Sequence, residues 1–219
     1  MDFGPSRTSD RLMEERLRLF NSNSAPSPRR VRIFLAEKGV SIERVEVDLA
    51  KLDHKQEGFA KLNPFHTIPL LELDDGVVLS ETIAICRYME ELHPEPNLFG
   101  ATPIERATIE MWQRRAEWHL LLPIAQVFRH SHPHMAAMES PQIKDWADAN
   151  RPRALENLRI FDGCLKDRDY LAGDRFTVAD ITGLVALDFL RPARIAIAPE
   201  LGNLVRWRER LAARPSASA

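Results

Sequence analysis

From Leu62 to Arg87 the chain reads LNPFHTIPLLELDDGVVLSETIAICR, and this run sharply limits what can be built around it. Leu70, Leu71 and Leu73 form one short apolar run and Val77, Val78 and Leu79 a second, with Asp74-Asp75-Gly76 between them. Asp-Gly between two such runs signals a hairpin, because glycine takes the positive φ that a tight antiparallel connection requires. Ser80-Glu81-Thr82 then opens a helix whose apolar positions are Ile83, Ile85, Cys86 and Met89. The first N–H groups of a helix lack intrahelical partners, and the helix dipole adds partial positive charge, so a ligand carboxylate is favoured there. Pro69 begins the first apolar run just after a loop, where a missing N–H costs the sheet nothing. X-Pro is also the bond at which cis is accessible. A cis bond would turn the Ile68 N–H and C=O sideways, free to pair with an extended ligand backbone.

The remaining sequence supplies a frame for this hairpin. Leu17, Leu19 and Phe20 predict a first strand near Arg16 to Asn21, and Asn21 to Pro28 is rich in turn formers. A helix is expected from about Pro28 to Lys38, stopped by Gly39, with Val31, Phe34 and Leu35 as its apolar stripe. Ile42, Val45, Val47 and Leu49 alternate with polar residues as a second strand. Strand, helix, strand implies a parallel pair with a right-handed crossover. The first half is therefore βαβ followed by ββα.

Beyond the proline-rich His93 to Gly100, strand signals vanish. A long helix is expected from about Pro103 to Met138, bent near Pro123, and another from about Pro141 to Lys166 with a break near Pro152. Thr177-Val178-Ala179-Asp180 has the form of a capping box ahead of Ile181, Leu184, Val185 and Leu187. A last helix carries Trp207. This divides the chain into a polar extension, 1–15, expected to be disordered, an α/β domain, 16–93, a linker, 94–103, and an all-helical domain, 104–215.

Charge narrows the function. With 30 basic against 32 acidic residues, net −2, nothing favours nucleic acid or an anionic membrane as partner. Two cysteines, Cys86 and Cys164, give no disulfide framework or metal cluster and fit a reducing compartment. With no long apolar run and no signal-peptide pattern, a cytoplasmic protein is expected. His130 and His134 are one helical turn apart, but Pro133 intervenes and no third ligand is spaced for closure, so no metal is expected.

Asn63-Pro64, Thr67-Ile68-Pro69 and Glu81-Thr82-Ile83-Ala84-Ile85 resemble the thioredoxin-like domain of the cytosolic glutathione transferases. The resemblance runs from about Arg16 to Pro215. It implies a thioredoxin-like domain followed by a helical domain, glutathione as co-substrate, and a two-fold homodimer with the first domain of one subunit against the helical domain of the other. It further implies that Ile68, before a cis Pro69, pairs with the cysteinyl part of glutathione. Glu81 and Thr82 would hold the γ-glutamyl end, and Lys55 the glycyl carboxylate. Thr177 and Asp180 would be a buried folding cap.

The thiol activator is less direct. Pro26-Ser27-Pro28-Arg29-Arg30-Val31-Arg32 looks like an atypical subgroup, known from yeast and many bacteria, without the usual Tyr, Ser or Cys. In that subgroup the helix-start residue, here Ala25, is small to admit a water. A His and a Ser on the long helix of the second domain hold that water. His119 falls on the His position, whereas the Ser position falls on Ala125, which has no hydroxyl. Six residues turn an ideal helix by about 600°, so the two share a face only if Pro123 bends the axis. Ser24 is the alternative, as a direct hydrogen-bond donor to the thiol. Arg129 and His130 are candidates for the mouth of an electrophile pocket. Cys86, inside a helix among apolar neighbours, reads as core rather than as a redox thiol.

The implied activity is transfer of the glutathione thiolate to small, electrophilic, apolar substrates, as in detoxification. Two alternatives stay open: a glutathione-dependent reductase, peroxidase or isomerase, and a non-catalytic glutathione- or protein-binding member of the same fold.

Overall fold

A computed structural model describes residues 16–219 of the chain. The extension expected over 1–15 lies outside the described residues. Strand β1 is Arg18–Asn21, helix α1 Pro26–Glu37, strand β2 Glu43–Glu46, helix α2 Glu57–Leu62, strands β3 and β4 Leu70–Glu72 and Val78–Ser80, and helix α3 Thr82–Leu92. The sheet order is β2-β1-β3-β4; β1 and β2 are parallel, and β3 is antiparallel to both β1 and β4. This is the expected thioredoxin-like arrangement. The strands are shorter than their apolar patterns: Val47 is buried but Leu49 lies beyond the end of β2.

Helix α1 lies almost wholly inside. Its core residues Val31, Ile33, Phe34 and Leu35 bury against the sheet and α3, but Arg30 and Arg32 are buried as well. A helix buried on several faces needs partners for its charged groups, and these arginines have them, as described below.

The second half is helical: α4 Pro103–Arg115, α5 Leu122–Ser131, α6 Lys144–Cys164, α7 Val178–Asp188 and α8 Gly202–Ala212. The single long helix expected to Met138 ends at Ser131, and its irregularity is a π-helical segment, Ala116–Leu121, just before Pro123. Pro123 has no N–H for the carbonyl one turn back, that of His119. Asn157 of α6 donates to that carbonyl instead, at 2.7 Å. Helix α6 passes through Pro152 without the expected break.

Helix α7 is the centre of this half, with Val178 to Leu187 all buried. Its capping box forms, and Trp207 of α8 lies over Gly183, where any Cβ would collide with the indole. The linker is packed rather than free. Lys38 and Glu90 pair at 2.6 Å with the lysine side chain wholly buried. Lys38 also donates to Pro96 O at 2.6 Å, and the Leu98 N–H to Glu90 at 3.0 Å.

Candidate functional site

The sheet register assembles one end of the first domain. Leu70 pairs with Ser80 across β3–β4, so the next step sets Pro69 opposite Glu81, with Thr82 following. Phe20 pairs with Leu70 across β1–β3, so Ser22 comes abreast of Ile68. The Ile68-Pro69 bond is cis. Among the described residues, no backbone hydrogen bond involves the Ile68 N–H or C=O.

Glu81 is the N-cap of α3, exposed, with φ 69° and ψ 121°. A non-glycine residue there is held against its preference, which is common at binding sites. Its side chain does not cap its own helix. Thr82 is buried, accepts from Arg30 Nη2 at 3.2 Å and donates to Ser27 O at 3.4 Å, so the first turns of α1 and α3 are joined.

Lys55 ends a short helical turn, Asp53–Lys55, and is exposed. The turn is clipped to the loop before Pro69 by a 2.9 Å contact between His66 Nδ1 and His54 O. Asn63, buried, shapes that loop through 3.0 Å bonds to Thr67 O and Thr67 Oγ1. Lys55 Nζ also donates to Ala137 O at 3.2 Å, from the loop after α5. Arg129 and His130 turn to Glu139 of the same loop, at 2.5 and 3.7 Å. The histidine of this corner, His54, titrates below its usual range because it is buried and faces Lys55 and His66.

At the start of α1, Ala25 is the N-cap with extended backbone and no side-chain cap. Ser24 is exposed, its Oγ 3.4 Å from that of buried Ser22. Ser24, Ala25, Ile68, Pro69, Glu81 and Thr82 thus share one end of the sheet, with Lys55 held beside it by the His54–His66 clip.

His119 lies on the π-helical segment of the second half. It is exposed and lines a groove of about 510 Å³ between the α5 side and α6, with Trp118, Leu122, Trp146 and Asn157. Glu117 of the same segment pairs with Arg30 of α1 at 2.7 Å. Among the described residues no hydrogen bond joins the His119 ring to Ser24 or Ala25; the His119 carbonyl accepts from Asn157 at 2.7 Å. Cys86 is wholly buried within α3, and burial pushes its thiol up to about 12, so it has no nucleophile's character.

The sequence reading missed Arg30, Arg32 and Glu117. Charged residues are rarely fully buried. The only signal was two arginines, Arg30 and Arg32, flanking Val31 on a helix otherwise dedicated to the core.

A thioredoxin-like sheet whose cis-proline end meets an acidic helix start, followed by an α-helical half, defines a two-domain protein of the glutathione transferase type. Family models agree: the glutathione S-transferase N-terminal domain matches residues 25–92 and the C-terminal domain residues 124–215. The chain is 38% identical to Glutathione S-transferase 2 of Saccharomyces cerevisiae, over 93% of this chain and 89% of the relative. A glutathione S-transferase domain-containing protein of Marinobacter aquaeolei superposes with TM-score 0.88 at 38% identity, covering 91% of this chain and 98% of that one. Gtt2 of Saccharomyces cerevisiae superposes with TM-score 0.87 at 38% identity, covering 91% and 97%. The chain belongs to the glutathione S-transferase family.

Proposed function

We propose that the protein conjugates the thiolate of glutathione to small, electrophilic, largely apolar substrates, in a cytoplasmic detoxifying role. The observation that carries the reading is the open sheet end: an unbonded Ile68 backbone beside Pro69, next to an exposed carboxylate at the N-cap of α3. Ile68 and Pro69 take the cysteinyl backbone, Glu81 and Thr82 the γ-glutamyl end, and Lys55 the glycyl carboxylate. The sulfur then lies by Ser24 and Ala25. The thiol of glutathione titrates near pH ~8.5 unaided, so hydrogen-bond donors at this corner are what make a thiolate available at neutral pH.

Buried, unreactive Cys86 weighs against a cysteine-based reductase on this scaffold. The working unit is a homodimer, with boundaries near 16–93 for the glutathione-binding domain, 94–103 for the linker and 104–215 for the helical domain. Apolar surface on both halves supports a partner copy: Phe65 is 79% exposed on the first, Trp118 59% on the second. Among the described residues no helix is long and apolar enough to cross a membrane.

Calorimetric titration with glutathione, followed by a conjugation assay with a chloronitrobenzene, tests this reading. Saturable heat and turnover are expected. Binding without turnover would reduce the protein to a glutathione carrier, and no heat would remove the site.

A further inference from the structure

We propose that Arg32 is the positioning residue for the thiol: its guanidinium holds the Ser22 and Asn23 carbonyls so that the Ser24 N–H is turned outward toward the sulfur. This rests on the transferase reading above and names how one corner of that site is set.

The start of α1 is short of donors. Pro26 and Pro28 have no N–H, and the Ala25 N–H is already bonded to Ser22 O at 3.1 Å. That bond closes a turn with Asn23 and Ser24 at its centre. Arg32 reaches this turn from inside the helix. Nη1 donates to Asn21 Oδ1 at 2.6 Å and Ser22 O at 3.2 Å, and Nη2 to Asn23 O at 3.3 Å.

In a planar trans peptide the C=O and N–H point in opposite directions. With Ser22 C=O aimed at Arg32, the Asn23 N–H is sent outward, and Glu46 Oε1 accepts it at 2.9 Å. With Asn23 C=O aimed at Arg32, the Ser24 N–H is likewise sent outward. Among the described residues no hydrogen bond takes it up, and Ser24 is exposed.

The cation is otherwise hard to account for. Arg32 is 4% exposed, and no described carboxylate lies within ion-pair distance of it. The charged groups facing it are Arg44 and Glu46 of β2 and Arg29 of its own helix, two of the three repelling it, while residues 217–219 close the far side of the same cavity. A buried charge without a carboxylate partner is destabilising relative to an apolar side chain of similar size. Its two bonds to the turn carbonyls and its third to the Asn21 side chain just before the turn give it a reason to be there, and its charge polarises the carbonyls it holds, strengthening the N–H at their other end.

The test is the apparent pKa of the glutathione thiol in the binary complex, read from thiolate absorbance, for the wild type, Arg32→Lys and Arg32→Met. In Arg32→Met it should rise by about one unit, giving a roughly tenfold slower conjugation at mildly acid pH that recovers at high pH. Glutathione Kd should stay within about twofold at pH values below the wild-type bound thiol pKa, where the thiol is protonated in both proteins and the other contacts are untouched, and should weaken towards about tenfold as pH rises above it. Arg32→Lys, which keeps the charge but not the fork, should fall between. If Arg32→Met does not fold, wild type against Arg32→Lys decides. Equal thiol pKa values in the folded proteins, or a weaker Kd with no pKa change, would overturn the assignment while leaving the transferase reading intact. A wild type that binds no glutathione would remove both.

Discussion

Helices α3 and α7 both begin with a carboxylate and a threonine, and they use them in opposite ways. At α7, Asp180 is sealed inside. It accepts from the Thr177 N–H at 2.9 Å, Thr177 Oγ1 at 3.0 Å, the Leu171 N–H at 2.9 Å and Trp207 Nε1 at 3.1 Å. Every acceptor site faces a protein donor, and the carboxylate ties the turn before α7 to α8. At α3, Glu81 stands in solvent on left-handed backbone and bonds nothing in its own helix. A helix start that consumes its acid is a folding device; one that holds its acid out is available to a ligand. Residue types alone do not tell the two apart. Burial and backbone conformation do.

The contrast breaks first at Asp180. Asp180→Ala leaves four buried donors without their acceptor, each worth about 1–3 kcal/mol, so a loss of at least about 4 kcal/mol in urea unfolding is expected. That is a large share of the ~5–15 kcal/mol typical of a folded domain. Glutathione Kd per folded molecule should not change. A mild destabilisation would mean that the cap is dispensable and the comparison mistaken.

Glu81→Gly should do the reverse. Glycine adopts φ 69° without penalty, so Tm should hold or rise. Loss of a charge-assisted bond to the γ-glutamyl amine, about 1.5–3 kcal/mol, should weaken glutathione Kd roughly 10–100-fold. Unfolding by this substitution with unchanged affinity would place Glu81 with Asp180 after all.

What the sequence made legible follows the same division. The Asp74-Asp75-Gly76 hairpin, the start of α3 and the Thr177–Asp180 box were readable because each is decided within a few residues. Arg30, Arg32 and Glu117 were not, because their burial depends on α1 lying under a second domain that local patterns do not place. The direction in which His119 faces was not legible for a related reason. The π-helical segment before Pro123 changes which way each side chain faces, and a residue count along an ideal helix does not register it. The sheet end itself was legible as a set of residues, but its assembly depended on the register Leu70↔Ser80.

A third carboxylate sharpens the rule. Glu37, at the end of α1, is also consumed by the fold: Arg214 grips it at 2.8 and 2.6 Å, and the Ser216 hydroxyl donates to it. Burial alone would raise its pKa, but the Arg214 fork and the Ser216 hydroxyl outweigh it and hold Glu37 below the usual range. A lowered folded pKa stabilises the protein above the unfolded value, about 4.3, and that contribution is lost as pH falls through the lower folded value. Glu37→Gln should therefore cost about 1 kcal/mol in chemical unfolding at pH 7 and nearly nothing once the wild-type carboxyl is protonated. A difference that persists unchanged into strong acid would show that packing, not charge, anchors the C-terminal segment.

The smallest effect belongs to Lys55, and it tests the ligand-facing side at its weakest point. The ammonium is exposed and already donates to Ala137 O at 3.2 Å. Engaging the glycyl carboxylate means giving up that bond and part of a water shell, and an exposed ion pair gains little in return, about 0–1 kcal/mol. Lys55→Ala should raise glutathione Kd only about three- to fivefold at low salt. Because the pair is screened, the gap between variant and wild type should narrow as salt is raised through the range in which the Debye length falls from about 10 Å to about 3 Å. A salt-independent loss would mean that Lys55 acts by holding the loop at Ala137 rather than by meeting the ligand's charge. The open helix start at Glu81 would then be the only charged anchor in the site, with the far end of the tripeptide held by shape.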